Sequence, residues 1–165
     1  MAYNPNIHHR RSIRLKGYDY SQAGAYFITI CCKDRKCRFG KIVVGASVME
    51  LNECGQIAYD EWLKLSERFS NFELDVFQIM PNHMHGIIVL NDIVGATLGD
   101  IVGAYKSLVA NGCLDIYKTK NETMGKLWQR NYYEHIIRNE QSYQTISDYI
   151  INNPAKWKDD KFFME

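Results

Sequence analysis

The run His83-Met84-His85-Gly86-Ile87-Ile88-Val89-Leu90 constrains this chain more than any other stretch. It is apolar and β-forming, and it opens with two histidines separated by one residue. Side chains alternate along a strand, so residues i and i+2 share a face. His83 and His85 are therefore expected to project from one side of a sheet and Met84 from the other. Two imidazoles on neighbouring pleats can hold one divalent metal. The same pair also suits packed or solvated roles in a half-buried strand, and spacing alone does not choose. Pro81 cannot donate to a ladder. Pro81 and Asn82 thus read as a turn joining a strand over Phe72–Met80 to its hairpin partner, His83–Leu90.

Two familiar histidine chemistries are excluded by spacing. A helical zinc-protease motif needs histidines at i and i+4 with a glutamate between them. A histidine-triad nucleotide hydrolase would need a third histidine where Ile87 stands.

With 165 residues, 46% hydrophobic and 24% charged, the sequence fits one globular domain spanning residues 1–165. It has no apolar run of bilayer length and no signal-like apolar core behind its N-terminal charges, so a cytoplasmic protein is expected. Five cysteines, with Cys31 and Cys32 adjacent, make no disulfide framework and suit a reducing compartment. The net charge of +1 announces no polyanionic partner. Locally, however, Arg10, Arg11, Arg14 and Lys16 crowd into a basic arm that ends on Tyr18. Such interleaving suits phosphate contacts with base stacking, and equally a solvated terminus.

Gly24–Cys32 reads as a strand, and Lys41–Leu51 as a short hairpin. Asn52 is placed to cap a helix reaching about Ser70, with Cys54, Ile57, Ala58, Trp62, Leu65 and Phe69 as its apolar stripe. A second helix runs from about Leu98 towards Tyr117. Leu127–Ile137 is a strand with an adjoining loop, and Asn139 caps a last helix that Pro154 ends. This order implies an α+β, ferredoxin-like (RRM-like) sandwich. Its antiparallel sheet carries helices on one face, and a C-terminal helix bears a tyrosine.

On that last helix Tyr143, Ile146 and Ile150 form the stripe, while Tyr149 and Asn153 lie one turn apart at its border. The Asn153 amide oxygen can serve as a third metal ligand, and the Tyr149 phenol can attack a phosphorus atom held there. Tyr105, Tyr132 and Tyr133 are rival nucleophiles, and His135 a rival ligand or base. Cleaving a phosphodiester needs an in-line nucleophile and a cation to stabilise charge on the phosphate. A tyrosine nucleophile conserves the broken ester's energy, so a strand can be rejoined without ATP. Mg²⁺ prefers oxygen ligands, which makes Mn²⁺ at least as good a match for two imidazoles and an amide.

Several segments together resemble the single-tyrosine transposases of the HUH endonuclease class, in particular REP-associated tyrosine transposases. They are Arg11–Tyr20, Gly24–Thr29, Met80–His85, Lys106-Ser107, Trp128–Arg138 and Tyr149-Ile150-Ile151-Asn152-Asn153-Pro154. The resemblance implies Mg²⁺ or Mn²⁺ held by His83, His85 and Asn153. It implies Tyr149 as the nucleophile, forming a 5′-phosphotyrosine on single-stranded DNA folded into hairpins from imperfect palindromes. Insertion-sequence relatives usually carry glutamine at the position of Asn153, whereas the REP-associated branch is similar to this chain in using asparagine. Arg10, Arg11, Arg14, Lys16 and Lys106 become candidate DNA contacts, and the family includes both monomers and helix-exchanged dimers. The alternative from a different class is a non-catalytic module of the same fold that binds single-stranded DNA or RNA through surface aromatics.

Overall fold

The computed structural model describes residues 24–43, 45–91 and 95–164. The basic arm, with Arg10, Arg11, Arg14 and Lys16, lies outside them. In chain order the elements are β1 (Gly24–Cys31), β2 (Gly40–Val43), β3 (Val48–Leu51), α1 (Glu53–Arg68), β4 (Phe72–Glu73), β5 (Phe77–Met80), β6 (His83–Leu90), α2 (Leu98–Thr119), β7 (Tyr133–Ile137) and α3 (Glu140–Asn152). A 3₁₀ segment, Pro154–Asp159, follows α3.

The central sheet is antiparallel throughout. β6 pairs with β1 on one side and with β4 and β5 on the other, and β7 continues the sheet beyond β1. β6 therefore lies inside the sheet, and every one of its residues is buried. The Pro81-Asn82 turn joins β5 to β6, with Met80 paired to His83. The expected first strand of this hairpin is divided in two. At Asp75 the chain folds its carboxylate back, and Oδ1 accepts from Val76 N (2.7 Å) and from Tyr143 Oη (2.7 Å). A ladder cannot run through that local turn.

Parity along β1 and β6 separates two cores. Tyr26, Ile28, Ile30, Met84, Ile88 and Leu90 face α1 and α2, around the buried Trp62, Tyr105 and Val109. Gly86 belongs to this face because a Cβ there would stand 2.7 Å from Trp62 Cζ2. Truncating Trp62 to alanine would cost about 3–5 kcal/mol. Ala25, Ile87, Val89 and Ile137 face the other way, onto Tyr143 and Ile150 of α3. The two long helices thus share one face, and the tyrosine helix covers the opposite one. His83 and His85 have the parity of Ile87 and Val89, so they point to the side that α3 occupies.

The helix ends follow local chemistry. The Asn52 side chain accepts from Gly55 N, Asn139 accepts from Ser142 N, and Thr97 with Asp100 forms a reciprocal capping box. Among the described residues no helix is long and apolar enough to cross a membrane.

Candidate active site

The two imidazoles are held by the sheet itself. Thr29 is the cross-strand partner of His85, and its Oγ1 lies 2.8 Å from His85 Nδ1. On the other ring, His83 Nδ1 lies 2.8 Å from Asn82 Oδ1. Asn82 Nδ2 donates to Phe162 O (2.7 Å) and to Arg35 O (3.1 Å). With its amide nitrogen committed as donor, the oxygen of Asn82 must accept. His83 therefore carries its proton on Nδ1 and presents a bare lone pair at Nε2. The two Nε2 atoms lie 3.1 Å apart. A proton on His85 Nε2 can bridge them in the absence of a cation, and Thr29 Oγ1 can take that donor on Nδ1 when a cation arrives. Outer partners of this kind orient metal-ligating histidines generally.

Burial keeps both rings neutral. It pushes His83 down to about 4 against the opposing pull of Asp160 and a smaller one from Asn153. Burial, then His83 and Lys161, put His85 well below its ordinary value. A neutral imidazole is the form a metal binds.

Two oxygens complete the cluster. Asn153 is buried and its Oδ1 has no hydrogen-bond partner, and the same holds for Asp160 Oδ2. Asp160 Oδ1, by contrast, accepts from Phe162 N at 2.8 Å. The orphaned Oδ2 stands 3.9 Å from His83 Nε2, and one ligand atom from each of His83, His85 and Asp160 fits within a span of 4.8 Å. Leaving a buried polar oxygen unpaired costs about 1–3 kcal/mol, and more for a carboxylate. Two such atoms beside two inward nitrogens are the donor set expected around a divalent cation, so these residues fit one.

Tyr149 closes the site from α3. Its ring lies 5.3 Å from that of His85 and edge-on to Phe27 at 6.2 Å, and the residue remains 42% exposed. Burial and then Asp160 raise its phenol above the ordinary value, while Asn153 draws it back. Asn153 therefore acts on both Tyr149 and His83. The structure brings His83, His85, Tyr149 and Asn153 together, as the sequence leads one to expect. It adds Asp160, which in the run Lys158-Asp159-Asp160-Lys161 looks like a solvated charge cluster.

The rival residues are disposed differently. Tyr105 is fully buried in the opposite core and donates to Ala58 O. Tyr132 packs against that same core. Tyr133 and His135 of β7 share the site's face and line a cavity beside Tyr149. Lys106 Nζ donates to Gln129 O (2.8 Å) and Arg130 O (3.1 Å), and Trp128 Nε1 donates to Lys106 O. Its ammonium thus staples the Trp-Gln-Arg segment to α2, a structural duty beside any contact with DNA.

Comparison with known proteins places the chain in a family. The chain is similar to an uncharacterized protein of Haemophilus influenzae, 41% identical over 99% of this chain and 98% of that one. It is 26% identical to the REP-associated tyrosine transposase of Escherichia coli over 83% of this chain and 70% of the relative. A solved REP-associated tyrosine transposase, bound to a REP hairpin, shares the fold with a TM-score of 0.59 at 22% identity, over 82% of this chain and 68% of that one. The model of the family described as transposase IS200-like matches residues 21–153, a span that holds both histidines and Tyr149 and stops on Asn153. The chain belongs to the IS200-like transposase family.

Proposed function

We propose that this transposase is a metal-dependent single-stranded DNA endonuclease and strand transferase acting on hairpin-forming repeats. Tyr149 is its nucleophile and His83, His85 and Asn153 are its metal ligands. The observation that carries the reading is the meeting of the Tyr149 ring with His85 where the buried Asn153 Oδ1 lacks a partner. The relative solved with a REP hairpin supports hairpin DNA as the substrate.

When bound, Mg²⁺ or Mn²⁺ would act as a Lewis acid on a scissile phosphate oxygen. His83, His85 and Asn153 would hold it, with Asp160 Oδ2 as a further oxygen. Tyr149 supplies the new bond. Its Oη joins phosphorus, the bond from phosphorus to the 3′ oxygen breaks, and the product is a 5′-phosphotyrosine beside a free 3′ hydroxyl. The phenol gives up one proton and the departing oxygen gains one, so the exchange needs no co-reactant. The reverse attack by a 3′ hydroxyl restores the phenol and joins strands. Thr29 and Asn82 keep the imidazoles aimed, and Phe27 braces the tyrosine ring.

The whole chain, residues 1–165, acts as one cytoplasmic unit, as a monomer or a homodimer. Arg10, Arg11, Arg14 and Lys16 contact phosphates, with Lys106 as a further candidate. A labelled hairpin oligonucleotide incubated with Mn²⁺ and resolved by denaturing electrophoresis tests this. A covalent adduct that needs the metal is expected. Metal-indifferent binding without an adduct would favour the non-catalytic binding module instead.

A further inference from the structure

We propose that the cavity beside Tyr149 is a nucleobase subsite, holding the base of a nucleotide bonded to the scissile phosphate. This rests on the reading of the site as one that cleaves single-stranded DNA. The cavity measures about 420 Å³ and shares two walls, His85 and Tyr149, with the reacting centre. Its occupant would be covalently adjacent to the phosphate under attack. Small-molecule sites typically run from about 300 to 1,000 Å³. This one has room for a base and its sugar but not for a duplex or a peptide helix.

The lining suits a base. Phe27 of β1, Tyr133 of β7, Tyr149 of α3 and Phe162 bring four benzenoid rings around one space. Tyr133 is 60% exposed and Phe27 only half-buried. Phe27 packs in part against the core that Tyr143 and Ile150 form with Ala25, Val76 and Ile137, which leaves Tyr133 as the most open ring of the cavity. Stacking on such rings tolerates any base, since every base has a π-face. Thr145 of the lining offers a hydroxyl to a base edge. Lys161 also lines the cavity, its ammonium 5.1 Å from the Phe162 ring centroid. A cation there complements the phosphates flanking the base. Among the described residues β7 is the outer strand of the sheet, an edge along which a single strand can run.

The test places 2-aminopurine, in turn, on each side of the mapped cleavage point of a hairpin oligonucleotide with single-stranded flanks. Its fluorescence is read on binding in Mn²⁺. Quenching at one position in wild type, lost in Tyr133→Ala and retained in Tyr133→Trp, is expected. An abasic nucleotide at that position should weaken wild-type binding by about ten-fold and leave Tyr133→Ala unaffected. A Tyr149 adduct that forms with no quenching at either position, or with equal quenching in Tyr133→Ala, overturns the subsite and leaves the nuclease reading standing. Failure of both adduct and hairpin binding overturns the nuclease reading and the subsite with it.

Discussion

The Tyr149 ring stands 5.3 Å from the His85 imidazole, tilted 63° to it, at the junction of α3 with the sheet. Neither residue reaches this meeting by local sequence. β6 delivers the imidazole from inside the sheet, and α3 delivers the phenol from the last third of the chain.

That relationship singles out one tyrosine from four. Tyr149→Phe keeps the ring on Phe27 and His85 and removes only the hydroxyl. The covalent adduct should disappear, while hairpin affinity stays within about two-fold, because phosphate and base contacts are separable from the chemistry. Tyr132→Phe and Tyr133→Phe should retain adduct formation. Denaturing electrophoresis of labelled DNA reads all three, and an adduct that survives in Tyr149→Phe would refute the assignment of the nucleophile.

Asp160 should strengthen metal binding. Asp160→Asn preserves the shape, and the acceptor for Phe162 N, but removes the charge near His83. Affinity for Mn²⁺ in DNA-free protein, measured by calorimetry, should fall by about ten-fold, within the range typical of groups that support a metal site. Asn153→Ala should weaken it as well. Unchanged affinity in Asp160→Asn would leave that buried carboxylate without a metal to serve.

How much of this could be read from residues alone varies with the type of signal. His83 and His85 were legible because a strand has period two and Pro81 fixes where the strand starts. Tyr149 and Asn153 were legible only as one-turn neighbours ahead of a helix-ending proline, and the choice of Tyr149 among the rival tyrosines came from the family resemblance rather than from spacing. The face that α3 covers was not legible. An apolar stripe of Tyr143, Ile146 and Ile150 says which side of a helix is buried, not which side of the sheet buries it. Asp75 hid inside an apparently continuous strand, because the pattern of apolar residues does not register a side chain that folds back on its own backbone. Asp160 was invisible for another reason. It reaches the imidazoles only because the chain turns through a 3₁₀ segment after Pro154, and that segment has no periodic signature.

The anchor of α3 should matter for both stability and catalysis. Tyr143 Oη donates to Asp75 Oδ1 in the buried layer beneath the helix. Tyr143→Phe deprives that carboxylate of a donor and should cost about 1–3 kcal/mol in urea unfolding. With the tyrosine helix less firmly seated, adduct formation should slow more than Mn²⁺ affinity falls, since His83, His85 and Asp160 do not lie on α3 and only Asn153, at its C-cap, moves with it. A loss of metal affinity larger than that of Asn153→Ala would mean that α3 also sets the imidazole geometry.

Metal-free protein should lose stability in mild acid before its carboxylates titrate. Both imidazoles have folded-state values below the free value of 6.5, with His83 near 4 and His85 well below normal. Between about pH 6.5 and 4 the unfolded chain therefore binds more protons than the folded one, so stability falls as pH falls. Each imidazole contributes up to about 1.4 kcal/mol per pH unit in that window. Ordinary aspartates and glutamates titrate mainly below about pH 5, which leaves pH 6.5 to 5 as the interval where the histidines act nearly alone. Urea midpoints in the presence of a chelator should decline across that interval, and His85→Gln should decline less steeply. A flat profile would mean that the pair is not held neutral in the folded protein. The lone pair assigned to His83 Nε2 would then not be waiting for a cation.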